Sequence, residues 1–369
     1  MTDDSALAAR TQRVCQRMGE LEVDVLLLSL GADLPWLTGY QAMPLERLTM
    51  LVLPVDGEAT LVVPRLEAPR VEPHPDLFGI LAWEESEDPI GFVAELAGRR
   101  RQRIAISDRT WATFVLRLQD ALPECWWLPS SDVTSPLRAV KDPSEVDALR
   151  RAAAAADRVA TQLVGGEIPL VGRSEADVSR DIGERLLAEG HQKVNFAIVG
   201  SGPNSASPHH EPGARVIGRD EAVVCDFGGT LDGYCSDITR TVFTGRPPIE
   251  FRTLYNVLEE AQAMAVEAAT VGTRCQDVDL VARAHIHDAG LGEYIVHRTG
   301  HGIGLEEHED PYIAGGNTLL LAPGHAFSIE PGIYVPGRFG ARIEDIVVAT
   351  DSGPEPLNRV DHGLALVES

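Results

Sequence analysis

The chain contains no apolar stretch approaching the roughly 20 residues that span a bilayer. Its strongest run, residues 23–30, is only strand-sized, so no membrane partner is expected. The first ten residues, MTDDSALAAR, are acidic; they lack the basic start and apolar centre of a secretory signal. Positive charge is scarce. Lys and Arg total 32 against 56 Asp and Glu, and Lys141 and Lys193 are the two lysines. At a formal charge of −24 the chain would repel a phosphate backbone, which argues against a nucleic-acid partner. The acidity reads as solubility, with a weak attraction for cationic amines as the other reading. The 5 cysteines are odd in number and form no CxxC pair. That excludes a disulfide framework or a zinc knuckle and suits a reducing, cytoplasmic setting. No GxGxxG or Walker motif is present, so no nucleotide loop is expected.

What remains is an ordinary globular composition, 44% hydrophobic and 24% charged, spread over 369 residues. That length exceeds one usual core and predicts two domains. Residues 1–135 alternate helical and strand patterns: helices over 6–19 and 111–119, and strands over 23–30, 48–54, 59–64 and 104–107. This describes a small α/β domain. Residues 130–141 are rich in turn formers and read as the linker. A helix then starts clearly, with Asp142 as cap, Pro143 in the first turn and Glu145 closing a capping box. Further helices are predicted over 174–190, 249–270 and 277–290, with strand pairs between and after them. Residues 136–369 therefore read as an α+β domain.

Two hairpins carry the chemistry. In VVCDFGGTLDGYCSDITRTVF, Asp226 and Asp237 flank the turn signal 228–233 at nearly equal distances, so they are predicted to face each other. In FSIEPGIYVPGRFGARIEDIVV, Glu330 and Glu344 each stand seven residues from Gly337 and are again predicted to be opposite. Arg342 shares the Glu344 face, and Asp345 takes the other. Facing carboxylates repel and destabilise a strand pair, so two such pairs suggest a shared cation site. His301, between glycines in RTGHGIG, is a fifth candidate ligand. Four carboxylates and one imidazole suit two hard or borderline divalent ions better than a pure zinc site. Two such ions could hold a hydroxide and polarise a carbonyl.

The segments SPHHEP, DFGGTLDGYCSDITRT, GHGIGLEEHEDP, SIEPGIY and RIED resemble, in order and spacing, those of the M24 metallopeptidases. PWLTGY and LRAVKDPSEVDALRRA extend the resemblance to the prolidase and aminopeptidase P branch. The resemblance implies a creatinase-type α/β domain over 1–135 and a pita-bread catalytic domain over 136–369, assembled as a homodimer. It implies that Asp226, Asp237, His301, Glu330 and Glu344 bind two divalent ions, with Asp237 and Glu344 bridging them. Manganese comes first, with cobalt, iron(II) or zinc as alternatives. The implied activity is hydrolysis of Xaa-Pro dipeptides, with aminopeptidase P action on longer Xaa-Pro peptides as the alternative. Glu330 would carry a proton, and His209 and His308 would contact the substrate. His210 reads as an incidental neighbour and Cys235 as packing. His297 is either support for the site or a loop-stabilising residue. Trp36 is either core or part of a loop reaching a partner subunit. Arg342 would hold a ligand carboxylate or reach the substrate's C-terminus. Tyr312 stands where better-known prolidases carry an arginine for the dipeptide carboxylate, and a phenol brings no positive charge. A metal-free creatinase-like amidinohydrolase or an inactive binding module would require lost ligands, and none is lost.

Overall fold

The computed structural model describes residues 4–98 and 102–367, and the chain divides into two units, Met1–Arg138 and Ala139–Ser369. Residues 1–3 and 368–369, the outer limits of the two expected domains, lie outside the described residues.

In the first unit, α1 (Asp4–Glu20) precedes β1 (Val25–Leu28) and α2 (Asp33–Thr38). The strands β2 (Met50–Pro54), β3 (Ala59–Pro64) and β4 (Phe78–Trp83) follow, then α3 (Pro89–Ala97), β5 (Arg103–Ile106), α4 (Ala112–Ala121), β6 (Trp126–Pro129) and α5 (Ser131–Ala139). One six-stranded mixed sheet runs β4-β3-β2-β1-β5-β6. The run VLLL of β1 is buried throughout because β1 is interior, paired antiparallel with β2 and parallel with β5. Trp36 is buried in this unit, with Arg10 stacked 5.7 Å from its ring.

The stretch predicted as a linker, residues 130–141, contains the division between the units after Arg138 but folds as helix α5, and Asp33 supplies the reason. Its carboxylate accepts hydrogen bonds from Ser130 Oγ, Thr134 Oγ1 and Arg138 Nη1. Those donors recur every four residues, which is a helical face. The tertiary contact overrides the turn-forming composition and the internal Pro136.

The second unit begins where the capping box was predicted. Asp142 accepts from Ser144 N and Glu145 N, and Glu145 Oε2 accepts from Asp142 N at 2.9 Å. That box opens α6 (Pro143–Val164), followed by α7 (Glu175–Ala188), β7 (Lys193–Ser201), β8 (Glu221–Leu231), β9 (Tyr234–Cys235) and β10 (Ile238–Thr244). Next come α8 (Ile249–Ala268), α9 (Cys275–Asp288), β11 (Gly300–Gly302), β12 (Glu309–Ile313) and β13 (Ala326–Ile329). The chain closes with β14 (Gly332–Val335), β15 (Phe339–Arg342), β16 (Asp345–Thr350), β17 (Gly353–Pro356) and β18 (Ala365–Val367).

Each of the two larger sheets is covered by one helix pair. The sheet β18-β10-β8-β7 packs on α6 and α7 through Ala156, Val159, Leu186 and Phe227. The alanine run of α6 is buried, and its small side chains let the helix approach β8 and β10 closely. The sheet β12-β11-β13-β16-β17 packs on α8 and α9 through Phe251, Leu258, Ile286 and Phe327. A bridge between Thr239 and Glu344 joins β10 to the turn between β15 and β16. The candidate ligands gather around that bridge.

Candidate metal centre

The two carboxylate hairpins differ from each other in register. Ile329 pairs with Asp345, and Gly332 pairs with Arg342. Glu330 and Glu344 thus occupy the same register between two ladders, as the count from Gly337 requires. The first hairpin departs from its prediction: Asp226 faces Thr239, with Ile238 opposite Phe227. Asp237 therefore stands diagonally from Asp226, on the same face by pleat alternation. The turn signal was read as symmetric, whereas the short pair β8–β9 shifts its centre.

His301 lies mid-strand on β11, buried between two flanking strands. A Cβ on Gly300 would meet Ser328 O at 1.9 Å, and one on Gly302 would meet Asp310 O at 2.2 Å. Only glycine permits that approach. His301 Nδ1 donates to Gly302 O at 3.1 Å, and its Nε2 faces Glu330 Oε1 at 3.2 Å and Asp237 Oδ2 at 3.8 Å. With Nδ1 engaged by the backbone, Nε2 is the nitrogen available to a cation among these carboxylates.

Asp237, His301 and Glu344 are buried, and each offers one donor atom such that all three lie within 4.8 Å of one another. Glu330 adjoins this trio through His301. Asp226, outside the trio, adjoins it through Arg342 Nη2, which donates to Asp226 Oδ2. Three buried carboxylate oxygens, Asp226 Oδ1, Asp237 Oδ1 and Glu344 Oε1, have no hydrogen-bond partner. Burial first, and then the crowding of neighbouring carboxylates, pushes Asp237 and Glu344 well above the usual carboxylate range. Asp226 is raised by burial, with Arg342 opposing the shift. Burial would also raise Glu330, but the His301 hydrogen bond and nearby positive charge outweigh it and hold its carboxyl low. Two unit charges about 4 Å apart repel by about 4 kcal/mol even at an effective dielectric near 20. Hydrogen bonds to the chain do not offset that repulsion here, so the donor set fits bound divalent cations.

A buried network fixes these ligands. Thr239 Oγ1 donates to Glu344 Oε2 at 2.6 Å and accepts from Arg342 Nε at 3.1 Å. Arg342 Nη1 donates to Tyr334 OH at 2.7 Å. Tyr334 in turn meets His297 Nε2 at 2.8 Å, and His297 Nδ1 donates to Arg298 O at 2.6 Å. One proton arrangement satisfies every member, with His297 neutral, and burial lowers the His297 pKa accordingly. Arg342 thus holds Asp226, Thr239 and Tyr334 together. Thr239 and Tyr334 escaped sequence reasoning. A signal for Tyr334 was present: Gly332 and Gly340 share its face and leave it the room it fills.

His308 stands exposed at the edge of the cluster, its ring 3.9 Å from that of His301. Desolvation, then the charges of His301 and Arg298, press its pKa to about 4. His209 is exposed, in the loop whose Pro208 carbonyl accepts from Arg342 Nη1 at 3.5 Å. His210 is more than an incidental neighbour, since its Nε2 meets the buried Glu175 Oε2 at 2.8 Å. Tyr312 lies half-buried on β12 with its ring beneath the Arg298 guanidinium. Cys235 is buried near Asn195. No helix among the described residues is long and apolar enough to cross a membrane.

Comparison with known proteins agrees with this geometry. Residues 147–351 match the description "Metallopeptidase family M24", and residues 10–140 match "Creatinase/Prolidase N-terminal domain". A protein named "probable dipeptidase PepE" from Mycobacterium tuberculosis is 46% identical over 346 residues, covering 93% of this chain and 92% of the relative. The crystal structure of dipeptidase PepE from Mycobacterium ulcerans aligns over 100% of both chains, with a TM-score of 0.94 and 43% identity. That of a prolidase from Thermococcus sibiricus also aligns over 100% of both, with a TM-score of 0.92 and 35% identity.

Proposed function

We propose, because this chain belongs to metallopeptidase family M24, that it is a dinuclear Xaa-Pro dipeptidase. The chain is a metallo-exopeptidase built as a creatinase-type N-terminal domain followed by a pita-bread domain. The observation that carries the finer reading is the set of buried, unsatisfied carboxylate oxygens around His301. Asp226, Asp237, His301, Glu330 and Glu344 would hold two divalent ions, Asp237 and Glu344 contributing to both. The oxygen-rich donor set suits manganese. When bound, such ions supply Lewis acidity and lower the pKa of water.

The remaining chemistry belongs to the chain. Glu330 Oε1 moves a proton from the attacking water toward the leaving proline nitrogen. His308, neutral at pH 7, donates a hydrogen bond to the substrate carbonyl side, and His209 reaches it from the facing loop. Thr239 and Arg342 orient Glu344 and Asp226 so that their free oxygens point inward. The prolidase named above supports proline in the second position of the substrate. The same reading places the enzyme in the cytoplasm as a homodimer, and five free thiols suit a reducing compartment.

The test is hydrolysis of Ala-Pro and Ala-Pro-Ala by manganese-reconstituted protein. Cleavage of Ala-Pro with the tripeptide left intact is the expected result. Efficient release of alanine from the tripeptide would make the enzyme an aminopeptidase P, and cleavage of neither would remove the proline reading.

A further inference from the structure

Glu175 is a fully buried carboxylate that the hydrolytic chemistry does not use. It opens α7, directly after the capping Ser174. Its Oε1 accepts from Ser201 N at 2.8 Å, Ser201 Oγ at 2.7 Å and Asn204 Nδ2 at 3.1 Å. Its Oε2 accepts from Asn204 Nδ2 at 3.1 Å and meets His210 Nε2 at 2.8 Å. Burial would raise the Glu175 pKa, but the hydrogen bonds from Ser201, His210 and Asn204 outweigh it and hold it below the usual range. An ionised carboxylate only accepts, so Nε2 carries the proton in the His210 contact. Such charge-assisted bonds are roughly twice as strong as neutral ones.

These donors lie on both sides of His209. Ser201 and Asn204 precede it, at the end of β7 and in the short 3-10 turn Gly202–Ala206, and His210 follows it directly. His209 sits in a tight turn closed by His210 N, which donates to Ser207 O at 3.2 Å, with Pro208 at the first corner. Residues 207–213 form no helix or strand of their own, so side-chain anchors decide where the loop lies. From the other side, Arg342 Nη1 reaches Pro208 O at 3.5 Å, a long contact. The His210–Glu175 contact is shorter and charge-assisted, and it is the firmer hold. The charge of His209 is felt at both His308 and His297, so the turn keeps His209 within electrostatic reach of the metal centre.

We infer that His210 is a positioning residue: by hydrogen bonding to the buried Glu175 it locks the 207–210 turn and so holds His209 toward the metal centre. Glu175 clamps the chain before and after His209, which fixes the backbone from which that imidazole projects. The inference rests on the peptidase reading, in which His209 contacts the substrate.

The experiment follows Ala-Pro hydrolysis by manganese-loaded parental enzyme, His210→Ala, His210→Phe and His210→Gln, and repeats His210→Ala in a His209→Ala background. His210→Ala should lower kcat about 10–100-fold, the loss that follows displacement of a site group by about 1 Å, while bound manganese stays parental. His210→Phe keeps the ring without the donor and should behave alike; it carries the decision if His210→Ala does not fold. His210→Gln, whose amide can donate to Glu175, should recover most of the rate. With His209 already removed, His210→Ala should cost nothing further, because a residue acting only through His209 is not additive with it. A purely structural role would lower activity equally in both backgrounds. Parental kcat in a folded variant without the donor, or equal losses with and without His209, would overturn the inference. The His209 ring resonance of zinc-loaded, diamagnetic protein, identified by its absence in His209→Ala, reads the same positioning without turnover. It should move in His210→Ala and return toward its parental position in His210→Gln; an unmoved resonance in the first, or an unrestored one in the second, contradicts the role. If the parental enzyme leaves Ala-Pro intact, the dipeptidase reading fails, and the resonance still decides whether His210 places His209.

Discussion

Glu330 differs from its neighbours in its electrostatic setting. Asp237 and Glu344 are pushed toward protonation by burial and mutual repulsion, whereas Glu330, beside His301 and Arg342, keeps its charge. Its Oε1, beside His301 Nε2 at the edge of the ligand trio, is placed to relay a proton. Glu330→Gln should therefore fold normally and lose about 10²–10⁴-fold in kcat, the usual share of general acid–base catalysis. Steady-state hydrolysis of Ala-Pro, alongside circular dichroism, checks this; a parental rate would remove Glu330 from the chemistry. At this scale the sequence exposed the five candidate ligands, because each is tied to a turn or to flanking glycines. Thr239 was illegible as a site residue because its role depends on Glu344, 105 residues away, and Tyr334 was marked only by Gly332 and Gly340 on its face.

Among the elements, β11 is the most constrained. Three residues, Gly300–Gly302, are held between β12 and β13, and His301 reaches the carboxylates because its neighbours have no side chains. Gly302→Ala would drive a Cβ into the Asp310 carbonyl at 2.2 Å. Overpacking of this kind costs about 1–3 kcal/mol. Chemical denaturation should register that loss, together with reduced metal content; parental stability would show that β11 and β12 can separate freely. Element positions were readable where local signals agree with tertiary contacts, as in the Asp142 box or the β2–β3 hairpin. They misled where a distant group intervenes. Asp33 turns residues 131–139 into a helix, and the short β8–β9 pair moves Asp226 from a position opposite Asp237 to one opposite Thr239.

Across the whole molecule, the second unit holds carboxylates that the fold alone leaves uncompensated. Groups with raised folded pKa values, here Asp237 and Glu344, bind more protons folded than unfolded. Their contribution is full below the ordinary carboxylate value of about 4 and is lost as pH rises through the raised values. A neutral buried histidine acts oppositely: His325, at about 4, costs stability as pH falls below its unfolded value of about 6.5. The two trends oppose each other in metal-free protein, but the His325 contribution cancels when metal-loaded and metal-free samples are compared at the same pH. Metal binding requires deprotonated ligands. The Tm difference between loaded and metal-free protein should therefore widen as pH rises from about 5 to about 8. Differential scanning calorimetry checks this, and a pH-independent difference would mean that Asp237 and Glu344 are not ligands.

The most direct measurement is a titration of metal-free protein with manganese, following Ala-Pro hydrolysis and bound metal in the same samples. Activity should rise to its maximum only as occupancy approaches two ions per chain, and Asp237→Asn should abolish both the second ion and the activity. Full activity at one ion per chain, or hydrolysis unaffected by a chelator, would contradict the two-ion centre built from Asp226, Asp237, His301, Glu330 and Glu344.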